Sequence, residues 1–298
     1  MAGAAYEVGY DERYRVAARA LRARMVRRIV AGGGLVDPAW RAAFAEVPRH
    51  VFVLGYGLDE LPGDDRDPRR RLRRLASAYA DRPIATHVVG GELVSSSSQP
   101  SLMALMCEAL AVVDGDRVLE IGAGTGYNAA LIAHRLGPDA VTTIDIDEEI
   151  TAAARTHLDA YGTPAARSVV VVTGDGALGH AARAPYDRIM ATCALPVIPE
   201  AWLEQCRPGG LILAPIATGL VALTVHGPGR AEGRFLHTPA FFVALRGAAA
   251  GSAHRRLGDE LFGGWHPDRS RYGMSVDGAR QWLWLDDPHG PDTWGVTA

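Results

Sequence analysis

The segment VLEIGAGTGYNAALIAHRLG, residues 118–137, constrains the fold of this chain more than any other part of the sequence. An apolar run carrying Glu120 leads into three closely spaced glycines, Gly122, Gly124 and Gly126, before a helical pattern starts. Glycine lets a backbone turn sharply and approach a ligand, and a helix N-terminus favours an anionic group. The sequence therefore predicts a strand, a ligand-binding loop and a helix.

The spacing of these glycines indicates which ligand the loop binds. A dinucleotide fingerprint needs a glycine at position 127, where this chain has Tyr127, and the GxGxG spacing after an acid suits S-adenosylmethionine instead. The next apolar run ends in Asp145, about 20 residues further on, where an acid binds ribose hydroxyls. The alternative, that Asp145 only caps the next helix, stays open.

A second acid follows the run SVVVVT, in the sequence Gly174, Asp175, Gly176. Ligands of open α/β sheets collect at the carboxyl ends of the strands, so we expect Asp175 to accept the adenine amino group, and it can also cap a helix. The residues predicted to bind the cofactor are Glu120, Gly122, Gly124, Gly126, Tyr127, Asp145, Asp175 and Gly176.

Short β-branched runs alternate with helical segments from residue 117 onward. The runs are RVLEI, AVTTIDI, SVVVVT, YDRIMA and GLILAPI, and the helices are expected at 127–136, 148–161, 176–183 and 199–206. This alternation predicts a parallel, doubly wound α/β sheet of the Rossmann-like type. Two more strands, VALTVH and FFVALR, follow with no helix between them, an ending typical of class I methyltransferases.

The regions before and after this pattern differ from it in composition. Residues 11–30 and 38–47 have apolar residues at helical spacing. The end of the chain concentrates four tryptophans, Trp265, Trp282, Trp284 and Trp294. We expect residues 1–110 to form an N-terminal helical and substrate-binding segment, 111–246 the cofactor-binding core, and 247–298 a small C-terminal extension that serves as a peptide-docking flap.

Composition excludes several classes of function. The formal net charge is -3 over 298 residues, so no basic field attracts nucleic acid or an anionic membrane. The arginine run at 69–74 is interpreted as a solvated surface excursion, with a contact for an acidic peptide as the alternative. The three cysteines are widely spaced, which predicts neither disulfides nor a metal site. The first residues do not resemble a signal peptide, and we expect a cytoplasmic protein.

Several landmarks recur in order along the chain: VPRHVFV at 47–53, AYADRPI at 78–84, SSQPSLMALM at 97–106, APYDRI at 184–189 and RPGG at 207–210. With the glycine loop and GDG, they make residues 14–246 resemble the protein L-isoaspartate O-methyltransferase family. That resemblance implies S-adenosylmethionine as cofactor and a peptide or protein carboxylate as substrate. It also implies that Ser98 orients the carboxylate, within a substrate-binding group of Ser97, Ser98 and Gln99.

The end of the chain carries a narrower resemblance. The segment WLWLDD at 282–287 is similar to the ending of a branch found beside ATP-grasp peptide maturases, the graspetide-tailoring methyltransferases. Our main hypothesis is therefore methylation of an aspartate in a ribosomally made, ester-crosslinked peptide, leading to an aspartimide. The alternative is general repair of isoaspartyl residues in damaged proteins. Nucleic-acid methylation and a non-enzymatic peptide escort are less favoured, because the adenosylmethionine landmarks are intact and no nucleic-acid methylase motif accompanies them.

Overall fold

The computed structural model describes residues 12–56, 67–247 and 268–296. Its helices are α1 (Glu12–Ala31), α2 (Pro38–Glu46), α3 (Arg49–Val53), α4 (Pro68–Ala78), α5 (Pro100–Ala109), α6 (Tyr127–Leu136), α7 (Glu148–Tyr161), α8 (Pro164–Arg167) and α9 (Glu200–Gln205). Its strands are β1 (Ile84–Val89), β2 (Glu92–Ser97), β3 (Val118–Ile121), β4 (Val141–Asp145), β5 (Val170–Thr173), β6 (Tyr186–Ala191), β7 (Cys206–Ile216), β8 (Gly219–Gly227), β9 (Arg230–Pro239), β10 (Tyr272–Asp277), β11 (Arg280–Leu285) and β12 (Thr293–Val296).

The chain folds into two compact units that interleave in sequence. The first comprises residues up to 111 with 123–141 and 148–171, and the second comprises 112–122, 142–147 and the residues from 172 onward. The chain passes from one unit to the other at residues 122–123, inside the glycine loop. The three consecutive functional segments expected from the sequence stay predictions.

The first unit contains a hairpin that the sequence did not predict. Strands β1 and β2 form a separate antiparallel two-stranded sheet, in which Ile84 pairs with Ser97 and Val89 pairs with Glu92. Two glycines, Gly90 and Gly91, turn the chain with positive φ angles of 59° and 86°. Strand β2 ends at Ser97, and Ser98 follows it directly.

The arginine run belongs to helix α4 and not to an irregular excursion. Its residues Arg69 and Arg73 are exposed, as the solvated-surface interpretation expected, whereas Arg70 is buried. Asp67 caps this helix by accepting a hydrogen bond from the main-chain nitrogen of Arg69 at 2.9 Å, and Pro68 occupies its first turn. Leu75 and Ala78 are fully buried. These buried residues follow directly after the run, and its many arginines obscured the helical pattern in the sequence.

The second unit is built on one sheet of ten strands. Their order is β12-β11-β10-β9-β8-β7-β6-β3-β4-β5. The β3–β6 and β6–β7 pairs are parallel, and every pair from β7 to β12 is antiparallel. The predicted α/β class with a Rossmann-like sheet is therefore confirmed.

The helix expected at 176–183 is wrong. Two short 3₁₀ turns, Gly176–Leu178 and Ala181–Arg183, stand in its place. The Gln205 side chain donates to the carbonyl of Leu178 at 2.9 Å and accepts from the nitrogen of His180 at 2.7 Å. Main-chain groups that an α-helix would pair internally are thus bound by a side chain distant in sequence.

The strand expected at FFVALR is also wrong. The partner of β8 is β9, at 230–239, whereas residues 241–246 contribute only an isolated bridge between Ala194 and Ala244. Only Ala231 and Phe235 of β9 are buried, so its apolar pattern is weak. Phe241, by contrast, is 75% exposed although it lies in the most apolar run of this region.

The described part of the C-terminal extension continues the sheet. Strand β10 pairs with β9, β11 with β10, and β12 with β11. Met274 and Leu283 are fully buried in the same core as Ile212. Trp265 and its neighbours at 248–267 lie outside the described residues, and the role of the extension as a docking flap stays a prediction.

Candidate active site

Glu120 is a buried acid at the end of β3. Its carboxylate accepts a hydrogen bond from the Thr143 hydroxyl of β4 at 2.7 Å, and its side chain is 0% exposed. In the turn that follows, the nitrogen of Gly122 donates to the carbonyl of Ile144 at 2.8 Å. The start of the loop is therefore tied to the neighbouring strand.

At Gly122 the backbone conformation and a close neighbour both exclude a side chain. Its φ is +96°, and a Cβ there would lie 2.5 Å from the Thr192 hydroxyl oxygen. That hydroxyl donates to the carbonyls of Ile121 and Gly122 at 3.0 and 2.9 Å, so it cannot give way freely. Gly124 and Gly126 also have positive φ, +49° and +82°, and Gly126 caps α6.

Two acids lie at the ends of β4 and β5 in the second unit. An oxygen of Asp145 lies 3.6 Å from the guanidinium of Arg246, which also reaches Asp147 at 3.6 Å. Asp175 accepts a hydrogen bond from the nitrogen of Ala177 at 2.9 Å and caps the 3₁₀ turn, as one sequence interpretation proposed.

Residues 246 and 247 pack against both acids, which the sequence did not indicate. Arg246 forms the ion pair with Asp145, and a Cβ on Gly247 would lie 2.4 Å from a carboxylate oxygen of Asp175. Nothing in the local sequence marks either residue, because the contact is made by a segment that follows about 70 residues after Asp175. Arg246 and Gly247 are therefore additional members of the candidate site.

The remaining two residues of the predicted cofactor set, Tyr127 and Gly176, are also buried. The Tyr127 side chain is 1% exposed and packs against Phe52, with ring centroids 5.5 Å apart. Burial raises the pKa of its hydroxyl. Gly176 accepts a hydrogen bond at its carbonyl from the Trp202 indole at 2.8 Å. Any contact of Tyr127 with a cofactor would involve its main chain.

The serine segment, which we define as residues 97–101, follows β2 in the first unit. Ser97 is buried and its hydroxyl accepts a hydrogen bond from Arg49 at 3.4 Å, whereas the Ser98 side chain is only half-buried. Gln99 donates to Asp81 at 3.2 Å and to the Ser101 hydroxyl at 2.7 Å. Of the two serines predicted to bind substrate, Ser98 is thus the more accessible.

Arg49 brings three of the sequence landmarks together. It stands in VPRHVFV, and its guanidinium donates to the carbonyls of Ala78, Ala80 and Arg82 in AYADRPI and to Ser97 and Ser98 in the serine segment. The neighbouring His50 ring nitrogen lies 2.6 Å from the Tyr79 hydroxyl. These three sequence landmarks therefore pack together around the Arg49 side chain.

The glycine loop and the β1–β2 hairpin line the same cavity of about 230 Å³ in the first unit. The hairpin contributes Ser95, Thr86 and His87, and the loop contributes Gly124 and Thr125. The hydroxyls of Ser95 and Thr86 are hydrogen-bonded at 2.9 Å, and a Cβ on Gly124 would lie 3.8 Å from the Ser95 hydroxyl. The strand that precedes Ser98 therefore lies next to the loop predicted to bind the cofactor.

Sequence comparison assigns the chain to a family. A profile described as Protein-L-isoaspartate(D-aspartate) O-methyltransferase (PCMT) matches residues 69–227. A protein-L-isoaspartate O-methyltransferase 1 from Anaeromyxobacter sp. (strain Fw109-5) is 38% identical over 227 residues, covering 74% of this chain and 94% of the relative. The chain belongs to the protein L-isoaspartate O-methyltransferase family.

Further relatives agree with this assignment. The protein-L-isoaspartate O-methyltransferase of Methanoregula boonei is 42% identical over 195 residues, covering 65% of this chain and 77% of that protein. A solved structure of a protein-L-isoaspartate O-methyltransferase shares the fold, with a TM-score of 0.64 and 23% identity over 93% of this chain and 87% of that one. The Plasmodium falciparum protein solved with S-adenosyl-L-homocysteine has a TM-score of 0.57 and 16% identity, covering 77% of this chain and 98% of that one.

Family membership confirms the expected enzyme class and cofactor, since these methyltransferases depend on S-adenosylmethionine. The narrower resemblance to the peptide-maturation branch is not shown by these relatives. Within the described parts of the chain, no helix is both long and apolar enough to cross a bilayer. Over the same residues, no cluster of three or more potential metal-ligating side chains occurs.

Proposed function

We propose that this methyltransferase esterifies the free α-carboxylate of isoaspartyl residues in damaged proteins, where the main chain runs through the β-carboxyl group. The observation that carries the proposal is the shared cavity: the strand leading to Ser98 and the glycine loop line one space. A carboxylate held at Ser98 would therefore lie close to a cofactor held by the loop. The family assignment supports this general repair function better than the specialised peptide-tailoring function.

The residues at the strand ends fit S-adenosylmethionine. Gly122 presents main chain without a side chain, and Asp145 and Asp175 supply carboxylates at the ends of neighbouring strands. Asp145 would bind the ribose hydroxyls and Asp175 the adenine amino group, as is common at such strand ends. When bound, the cofactor supplies a sulfonium methyl group that a carboxylate oxygen can take directly, giving a methyl ester and S-adenosylhomocysteine.

The role left to the protein is positioning. A carboxylic acid with an ordinary pKa near 4 is already ionised at pH 7, so its attack requires no general base. Holding a nucleophile and an electrophile in alignment can lower a barrier by about 7–11 kcal/mol. Ser98 would hold the carboxylate by donating its hydroxyl, while the buried Ser97 hydroxyl is engaged by Arg49.

A methylation assay on matched peptides tests this function. The enzyme should methylate a peptide with one isoaspartyl residue and leave the same peptide with normal aspartate unmodified. Ser98→Ala should lower kcat/KM by roughly 10- to 100-fold, the usual effect of losing one hydrogen bond to a charged group. Ser96→Ala, on the same stretch of chain, is the matched control and should remain within about twofold. Equal rates for Ser98→Ala and the parent enzyme would remove Ser98 from the site.

Cofactor placement needs a separate measurement. Isothermal titration with S-adenosylmethionine should show a roughly 10- to 100-fold loss of affinity for Asp145→Asn, because a neutral amide binds hydroxyl donors less strongly than a carboxylate. Asp147→Asn is the control, since Asp147 also pairs with Arg246 but is not assigned to the ribose. A larger loss in the control than in Asp145→Asn would show that the assignment is wrong.

Peptide tailoring is the second candidate function, and its support is the tryptophan-rich segment at 282–287. Strands β10–β12 lie beyond the residues that match the family profile, which end at 227, but a solved protein-L-isoaspartate O-methyltransferase shares the fold over 93% of this chain, so these strands do not by themselves separate tailoring from repair. An ester-crosslinked precursor peptide should be compared with the simple isoaspartyl peptide by mass spectrometry, following gain of a methyl group and subsequent loss of methanol. A higher kcat/KM on the crosslinked peptide would favour tailoring, and a higher kcat/KM on the simple peptide would favour repair.

A further inference from the structure

Arg49 is a buried cation in contact with the serine segment. Its side chain is fully buried, and it donates to the main-chain carbonyls of Ala78 at 2.7 Å and Ser98 at 3.1 Å. It also donates to the carbonyls of Ala80 and Arg82 and to the Ser97 hydroxyl. These hydrogen-bond acceptors are all uncharged. The Asp81 carboxylate lies close enough to raise the pKa of Arg49, but burial outweighs it, so the charge is only partly compensated.

Such a charge is costly to bury. Burial lowers the pKa of Arg49 to about 10, yet a group with that pKa is still protonated at neutral pH. If the residue only connected carbonyl groups, neutral donors would do so without the cost of desolvating an ion. The position of the charge, one hydrogen bond from Ser98, suggests that the charge itself has a use.

We propose that Arg49 is a positioning residue for the substrate carboxylate: it fixes the backbone of Ser98 and places a buried positive charge beside the bound anion. This inference rests on the proposed function, because it requires that Ser98 holds the carboxylate. It assigns to Arg49 a role beyond packing, and it predicts which kinetic constant the residue affects.

Asp81 also binds the serine segment. One oxygen of its carboxylate accepts from the nitrogen of Ser101 at 2.8 Å, and the other accepts from the Gln99 amide at 3.2 Å. Asp81 stands within the turn whose carbonyls Arg49 binds at Ala80 and Arg82. The serine segment is thus bonded at Ser98 by a buried cation and at Ser101 by an exposed anion.

The charge of Arg49 should act on binding and not on the transfer step. Before transfer the substrate is a carboxylate anion and the methyl donor is a sulfonium cation, and after transfer both products are uncharged at these centres. The negative charge on the carboxylate is therefore greatest in the ground state and decreases in the transition state. A nearby cation therefore stabilises the bound substrate at least as much as it stabilises the transition state. It should lower KM without raising kcat.

Kinetics of Arg49→Met and Arg49→Lys test the proposal on the full-length enzyme. Arg49→Met should raise KM for an isoaspartyl peptide about 10- to 100-fold, the effect of removing a charged hydrogen-bond donor, with kcat within about threefold of the parent. Arg49→Lys keeps the charge and should recover most of the lost affinity. Unchanged S-adenosylmethionine binding by calorimetry would show that each variant is folded. Unchanged KM, or a Lys variant as impaired as the Met variant, would overturn the proposal.

A neutral substrate analogue separates the charge from a merely structural role. The same peptide with the isoaspartyl carboxylate converted to its amide should act as a competitive inhibitor. Arg49→Met should weaken binding of the carboxylate peptide much more than binding of the amide peptide. Equal losses for both would mean that Arg49 only maintains the fold of the segment, and the proposal would fail.

Asp81→Asn is a milder variant that tests the same idea with the opposite sign. Asparagine keeps an oxygen for the Ser101 nitrogen and removes a negative charge near the segment, while its amide nitrogen replaces the oxygen that accepts from Gln99, so the Gln99 amide must turn to offer its own oxygen. KM for the carboxylate peptide should fall by up to about threefold, the size of effect expected for an exposed charge, with no change for the amide. A rise in KM, or no change, would contradict the electrostatic role even if Arg49→Met does not fold. If the parent enzyme does not methylate the isoaspartyl peptide at all, the proposed function fails instead.

Discussion

The strand ends around Gly122 and the serine segment at 97–101 are held in place by different kinds of contact. At the strand ends the backbone conformation decides most of the geometry, through the Gly122 bond to Ile144 and the positive φ angles of the loop, and the Thr192 hydroxyl adds a side-chain contact to the same main chain. The serine segment instead depends on two side chains, Arg49 and Asp81, from elsewhere in the first unit. A substitution should therefore disturb the first region through backbone geometry and the second through charge and hydrogen bonding.

The largest expected effect is that of Gly122→Ala, which tests the backbone side of this comparison. A methyl group there meets the Thr192 hydroxyl at 2.5 Å, and φ is +96°. Strain and overpacking together should lower the free energy of unfolding by roughly 3–5 kcal/mol, and cofactor affinity should fall with it. Chemical denaturation and isothermal titration measure the two effects.

Gly115→Ala is the matched control for this substitution. Its φ is +89°, but a Cβ there would have no neighbour within 4 Å. It should cost only about 1 kcal/mol, the strain of a left-handed residue, and leave cofactor affinity unchanged. Equal destabilisation by the two alanines would show that the Thr192 contact is unimportant.

Leu283→Ala tests whether the C-terminal strands contribute to the stability of the second unit, which contains the strand ends. Leu283 is fully buried in the core of the second unit, so its truncation should lower the free energy of unfolding by about 3 kcal/mol. Leu285 lies on the same strand but is only half-buried, so Leu285→Ala should lower the free energy of unfolding by only about 1 kcal/mol. A docking flap that moves independently of the core would show no global destabilisation for either variant.

This prediction changes how the extension should be tested. Deleting all residues after 247 would remove Met274 and Leu283 from the core, so loss of peptide binding could not be separated from loss of folding. Gln281 also bonds both main-chain groups of Ile198, at 2.8 Å through its oxygen and 2.7 Å through its amide nitrogen. Point substitutions at exposed positions such as Arg280 are the better means of testing peptide docking.

A change of pH should have an effect no larger than that of Leu283→Ala, and it concerns His50, the neighbour of Arg49 in sequence. Burial lowers the pKa of His50 to about 4, below its ordinary value of 6.5, and burial also lowers the pKa of His157. Between pH 6.5 and 4 the unfolded chain binds more protons at His50 than the folded protein does. Stability should therefore fall as the pH is lowered through this window, by up to about 3 kcal/mol from His50.

Denaturation at pH 7 and at pH 4.5 checks this dependence in the parent, in His50→Asn and in His226→Asn. The change in unfolding free energy between the two pH values should shrink in His50→Asn. His226→Asn, at an exposed position, is the control for the His-to-Asn substitution itself. An unchanged difference in His50→Asn would contradict the assigned burial of His50.

Local sequence was sufficient where the backbone alone sets the structure. The bounds predicted for α6 and α7 agree with the structure, and β3, β4 and β6 lie within or at their predicted runs. The glycines of the loop adopt the positive φ angles that motivated their assignment. Each of these features depends on periodicity or on a backbone conformation that few residue types adopt, and both are visible in a short window of sequence.

Only tertiary structure decided the rest, because the deciding partners lie far away along the chain. The side chain of Gln205 binds main-chain groups of two short turns that stand where a helix was expected. The weakly apolar segment at 230–239 forms β9 because it pairs with β8 and β10. Arg246 lies beside Asp145 although about 100 residues separate them. The sequence by itself determined the family, and it predicted the cofactor-binding residues and the candidate serine. The fold decided that Ser97 is buried under Arg49 while Ser98 is more exposed, since a hydrogen bond across 48 residues leaves no pattern in the neighbouring sequence.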